Sequence, residues 1–190
     1  EGIFQDGERT PRVEEFQESR DQLNLSIRAL SERLEGEGIK VGFELMTEAE
    51  KRESKLFAEV NVIVQDIARE LGFTRPVILE ITRSSEFNAF VLAVSHEGGM
   101  EKSNTVPLRL FVHAGLIESA ANLLETAGKQ LTRDHLAAVI GHELAHLTQP
   151  HFHIDEPSDD PEERQRYEYD ADAIALEAMD RAGYNPMQGI

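Results

Sequence analysis

The sequence predicts an α+β domain, mainly helical, with a short β-sheet set between helical blocks. Three observations predict it. Apolar residues recur at three- and four-residue spacings over 11–34 and again over 56–71, as on one face of a helix. Three runs rich in β-branched residues then follow between 76 and 112: "PVILEIT", "NAFVLAVS" and "VPLRLFV". Helical patterning resumes after them and continues almost to the end. At 190 residues the chain is long enough for one well-buried domain rather than two.

Residues 1–10 are polar and read as a frayed start. From Pro11, the residues Val13, Phe16, Leu23, Ile27, Leu30 and Leu34 form the apolar stripe of a first helix, interrupted by Arg20 and stopped by Gly36 and Gly38. This helix and its linker make an expected N-terminal segment over 1–46, with the functional domain over 47–190. A second helix opens at Thr47, where "TEAE" has capping-box form, with Glu50 able to reach back. Leu56, Val60, Ile63, Ile67 and Leu71 make its buried face and Gly72 ends it. The strands are expected at 76–82, 88–95 and 106–112, with the turn-forming "HEGG" after the second. The third leads into a helix over "AGLIESAANLLETA". Thr132 opens the next helix, and Pro150 prevents it from continuing. An acidic loop, "DEPSDDPEER", precedes a last helix over 162–182, capped by Gly183 with Pro186 just beyond. There is no internal repeat.

Acidic residues number 36 against 19 basic ones, for a formal net charge of -17. Such a field repels phosphate backbones and anionic headgroups, which excludes nucleic acid as a partner class. The lack of cysteine excludes disulfides, thiolate catalysis and Cys-ligated metal. No apolar run approaches the roughly 20 residues that span a bilayer. The chain begins with Glu rather than Met and is expected to be a processed form, with an extracytoplasmic location (periplasmic, or membrane-associated after processing) favoured. Oligomeric state is not encoded in any motif.

The chemistry lies in "AAVIGHELAHLTQPHFH", residues 137–153, which holds four of the seven histidines. His142 and His146 are four apart, hence on one face of a helix. Two imidazoles so placed reach one metal ion about 2 Å from each ring nitrogen. Glu143 can approach a metal-bound water without ligating the ion, and together the three make H-E-x-x-H, the zinc-peptidase signature. The alternative is a polar helix face with solvated histidines. Against it stands the apolar setting of "LAAVIGHELAHL", where buried polar groups need partners.

A zinc site of this kind needs a third protein ligand. The metzincin extension requires Gly and His where this chain has Gln149 and Phe152, so that solution fails. A glutamate from a later helix is the other solution. Glu168 and Asp172, four apart in "YEYDADAIALEAMDRAGYNP", share one helical face: the first can ligate, the second can accept from a ligand histidine's other ring N–H. Glu162, Glu163, Asp170 and Glu177 are nearby alternatives, and Glu168 is favoured by its place at the start of the small and apolar run "ADAIALEAM". His151 and His153 read as cap or solvent-facing residues, and His96, His113 and His135 as surface or satisfied ones.

"HELAH", His151 five residues after the second histidine, and "EYDADAIALEAMDRAGYNP" resemble the HtpX, Oma and CAAX prenyl endoprotease metallopeptidases, metallopeptidase family forty-eight, in its soluble branch. "FNAFVLA" resembles that family's Asn-Ala-Phe strand and "AGLIES" its Gly-Leu element, so the resemblance covers roughly 56–187. It implies a gluzincin-type catalytic domain over 47–190 whose edge strand lines the cleft. One Zn2+ per chain would be held by His142, His146 and Glu168, with Glu143 catalytic and Asp172 supporting a ligand histidine. Asn88, Ala89, Phe90 and Val91 would contact the substrate, an unfolded or extended polypeptide, in an endopeptidase reaction suited to protein quality control.

Two departures stand out. "VSHEGGMEKSNTVPLRLFVH" is longer than the family's Gly-rich hairpin, and the chain stops at Ile190, before the family's later segment with its His and Arg near the active site. A truncated C-terminus is therefore expected. The rival reading is a zinc-binding, chaperone-like or latent module that holds polypeptides without turnover, in which the acidic loop 155–163 covers the site. The intact Glu143 argues against it, since binding alone does not need that carboxylate.

Overall fold

A computed structural model describes residues 44–74, 77–92, 108–149 and 160–188. The expected N-terminal helix, the "HEGG" turn, the end of the second strand and the first half of the acidic loop lie outside these residues. The described elements are helices α1 (Glu48–Glu53) and α2 (Lys55–Glu70), strands β1 (Val77–Thr82), β2 (Ala89–Leu92) and β3 (Leu108–His113), then α3 (Ala114–Ala127), α4 (Lys129–His146), α5 (Pro161–Ala182) and a 3-10 turn at Pro186–Gln188. This is the expected α+β order.

The capping box at Thr47 forms as expected, with Thr47 N donating to Glu50 Oε2 at 2.7 Å and Glu50 N to Thr47 Oγ1 at 3.4 Å. Glu50 also takes both its oxygens to the Arg83 guanidinium at 2.6 and 2.7 Å, which holds its carboxyl down to about 2. The single helix expected from Thr47 to Gly72 is instead two. Ser54 is extended (ψ 115) and serves as the end of α1 and the start of α2. Just before α1 the chain bonds to the end of β1: Met46 N donates to Ile81 O at 2.8 Å, and Arg83 N to Glu44 O at 2.7 Å. Lys51 of α1 is turned inward, 2% exposed, with Nζ 2.6 Å from Glu80 Oε2 on β1.

The sheet has the order β1-β3-β2, with β1 parallel and β2 antiparallel to β3. Alternation sends Val77, Leu79, Ile81, Ala89, Leu110 and Val112 into the core with Val60, Ile63, Val64 and Ile67 of α2. The opposite face is buried as well. There the Glu80 carboxylate lies between Lys51 and Arg109, at 2.6 and 2.7 Å, and Phe90 stacks on Phe111 with ring centroids 5.0 Å apart. His113 shares that face. Expected to be a surface or satisfied residue, it is buried, and neither ring nitrogen has a hydrogen-bond partner among the described residues. The expectation failed because a strand that is buried on both sides does not reveal itself by alternation.

α4 begins at Lys129 rather than Thr132, because Gly128 takes a positive φ of 90° at its N-cap. Thr132, one turn in, donates its hydroxyl back to Gly128 O at 2.9 Å. α4 lies against α2, α3, α5 and β2, with Leu136, Ala137, Ile140, Leu144 and Ala145 buried along it. α5 is capped by Asp160, which accepts from Glu162 N at 2.9 Å, and it ends at Gly183 in the left-handed conformation. Its buried stripe is Ala171, Ala175 and Ala178. Opposite that stripe stands Gly141, where a Cβ would lie 3.2 Å from Ala175 Cβ. Small residues on both helices thus bring their backbones close, one residue before His142.

Candidate metal centre

The close approach of α4 and α5 brings three acceptor groups together. His142 and His146 stand on one face of α4 with Nε2 atoms 3.1 Å apart and rings at 90°. Glu168 of α5 places Oε2 3.1 Å from His142 Nε2 and 3.6 Å from His146 Nε2. Among the described residues, these three form the one group of histidines and carboxylates with ligand atoms within 4.8 Å of one another that could hold a metal ion. Glu162 and Asp170 are exposed and not in this group, Glu163 accepts from Tyr167 at 2.5 Å and Glu177 pairs with Arg181 at 2.6 Å.

Each histidine is held from behind. His142 Nδ1 lies 2.8 Å from Asp172 Oδ1, so that nitrogen donates, and in the neutral ring Nε2 carries the lone pair. His146 Nδ1 lies 3.1 Å from Gln149 Oε1. Gln149 is buried, and its Nε2 donates to Tyr167 O at 2.8 Å. With both rings neutral, two imidazole lone pairs and a carboxylate oxygen face each other, an arrangement that suits a cation. The distances suit one: a tetrahedral site with bonds of about 2 Å has donor–donor edges of about 3.3 Å. The donor set therefore fits zinc.

Glu143 points from the same turn of α4 into a cavity of about 380 Å³ that it shares with His142 and Asp172. The cavity's wall is apolar, made by Ala138, Val139, Leu176 and Met179. Burial raises the Glu143 carboxyl to about 7; His142 opposes the rise and Glu168 adds to it.

The "NAF" residues form the start of β2. Among the described residues β2 pairs with β3 alone. Ala89 is in the core, Val91 packs against it, and Phe90 is stacked on Phe111. Asn88 is exposed, its side chain accepting from Ala89 N at 2.9 Å and its carbonyl from His113 N at 3.0 Å. What β2 offers on the side away from β3 is, among the described residues, backbone. His135 is half-buried on α4 and outside the cluster; His151 and His153 lie outside the described residues.

In the sequence Gln149 stands out only as the residue that breaks the metzincin pattern. The signal that marks it is its i+3 spacing from His146 just past the helix end. Lys51, Glu80 and Arg109 were also passed over, although a charge in the middle of each of two apolar strands was visible.

Residues 54–155 match peptidase family M48, and the chain belongs to that family of metallopeptidases, whose substrates are polypeptides. The matched segment runs from α2 through His142, Glu143 and His146 and ends before α5. No curated protein and no solved structure matches the chain. No helix of the described residues is long and apolar enough to cross a membrane.

Proposed function

We propose that this chain is a zinc-dependent endopeptidase for unfolded or extended polypeptides, with His142, His146 and Glu168 holding the ion and Glu143 acting as general base. One observation carries the reading: two histidine lone pairs and a carboxylate oxygen converge at 3.1 to 3.6 Å beside a glutamate in a cavity. When bound, zinc would supply Lewis acidity toward the scissile carbonyl and the attacking water. Glu143 takes the proton from that water as its oxygen bonds to the carbonyl carbon, then delivers it to the amine as the C–N bond breaks.

The other residues position these events. Asp172 and Gln149 fix the two imidazole rings, so the ligand atoms are preorganised. The edge of β2 away from β3 binds an extended chain through its backbone, a mode that demands extension and not a fixed sequence. The apolar wall beside Glu143 favours an apolar side chain next to the scissile bond.

The test is cleavage of a permanently unfolded polypeptide by the purified chain, followed with and without a chelator. Endoproteolytic fragments that vanish on chelation and return with stoichiometric zinc support the reading. Tight binding of the polypeptide with no cleavage in either state would replace it with the chaperone-like alternative.

A further inference from the structure

The geometry points to Gln149 as the positioning residue that sets the tautomer of His146 and ties it to the helix carrying Glu168, a role that rests on the metallopeptidase reading above. Gln149 lies three residues past His146, beyond the last residue of α4, and its backbone N–H donates to His146 O at 3.1 Å. Its side chain is engaged at both ends. One end lies 2.8 Å from Tyr167 O. A backbone carbonyl only accepts, so that end must be the NH2 group. The other end, 3.1 Å from His146 Nδ1, must then be the carbonyl oxygen. An acceptor there requires Nδ1 to donate, which leaves the His146 Nε2 lone pair directed at His142 Nε2 and Glu168.

The relay thus begins on α5. The carbonyl of Tyr167, the residue before Glu168, orients the Gln149 amide; the amide fixes the imidazole proton; the proton's position decides which nitrogen is available to a cation. Asp172 does the same for His142 with a carboxylate. Gln149 does it for His146 with a neutral group, so the second ring is fixed without adding negative charge beside Glu143 and Glu168. Its burial, at 4% exposed, makes the arrangement rigid, because a buried amide that lost either partner would be left unsatisfied.

The test uses the full chain in three forms: wild type, Gln149→Met, which removes both hydrogen bonds at similar size, and Gln149→Glu, which keeps the acceptor. Side-chain nitrogen NMR of the metal-free protein at alkaline pH reports the His146 tautomer directly. Zinc affinity is measured in parallel by competition with a chelator. Wild type should show the Nδ1–H form. Gln149→Met should lose it and bind zinc about 10- to 100-fold more weakly. Gln149→Glu should restore the Nδ1–H form. An Nε2–H tautomer in wild type overturns the proposal even if neither variant folds, and so does an unchanged tautomer in Gln149→Met. Failure of wild type to bind zinc would instead remove the metallopeptidase reading, while the tautomer measurement still decides the role of Gln149.

Discussion

His142 and Asp172, thirty residues apart in the chain, meet at 2.8 Å between Nδ1 and Oδ1. The bond crosses from α4 to α5 and holds the first histidine of "HELAH" with Nε2 toward Glu168. Asp172→Ala should therefore weaken zinc binding about 10- to 100-fold. Its side chain is 59% exposed, so the melting temperature of the metal-free protein should hardly move. Chelator competition and thermal unfolding check the two halves, and unchanged zinc affinity would refute the first.

The same bond depends on the spacing of the two helices. At Gly141 a methyl would already lie 3.2 Å from Ala175 Cβ, tight but open to a small adjustment. Gly141→Ala should be close to neutral, because the better helix propensity of alanine, about 1 kcal/mol, offsets the crowding. Gly141→Val should cost about 1–3 kcal/mol and move Glu168 and Asp172 away from the histidines. Urea unfolding with zinc titration on both variants gives the comparison, and a valine variant that binds zinc like wild type would contradict it.

Glu80 lies between two buried cations, Lys51 and Arg109. Glu80→Ala leaves both without that carboxylate and should cost about 3–5 kcal/mol, the usual penalty for removing one member of a buried ion pair. Denaturant unfolding measures it. A loss under about 1 kcal/mol, as for surface pairs, would show that the group is solvated.

His113 gives the fold a pH dependence. Burial lowers its pKa below the ordinary value of 6.5, with Glu86, 3.9 Å from Nδ1, opposing weakly. The unfolded chain therefore takes up the proton first as pH falls. The stability that neutral His113 contributes is fully present above pH 6.5 and is lost as pH falls through the folded-state value. Comparing wild type with His113→Phe by urea unfolding across this range should show the wild type losing more stability toward acid. Parallel pH profiles would exclude His113 as the cause.

How much of this was legible follows from what each feature depends on. The histidine pair and the Glu168–Asp172 pair were readable because the helical period alone sets each on one face. The match to peptidase family M48 agrees with the family resemblance of "HELAH" and "FNAFVLA". Gln149 was not readable in its role, because its side chain lies past the helix end and is aimed by a carbonyl of another helix. The break at Ser54 was hidden by an apolar pattern that runs straight across it. Lys51, Glu80 and His113 were misjudged or missed for one reason: burial of the sheet's second face is a tertiary fact, and no periodicity announces it.

The most direct measurement sets hydrolysis of an unfolded polypeptide beside zinc content, for wild type and Glu143→Gln. Zinc held by His142, His146 and Glu168 with Glu143 as base requires one bound zinc in both proteins. Cleavage should be slower in the variant by a factor of about 10² to 10⁴. A variant that keeps its zinc and cleaves at the wild-type rate would contradict the assignment.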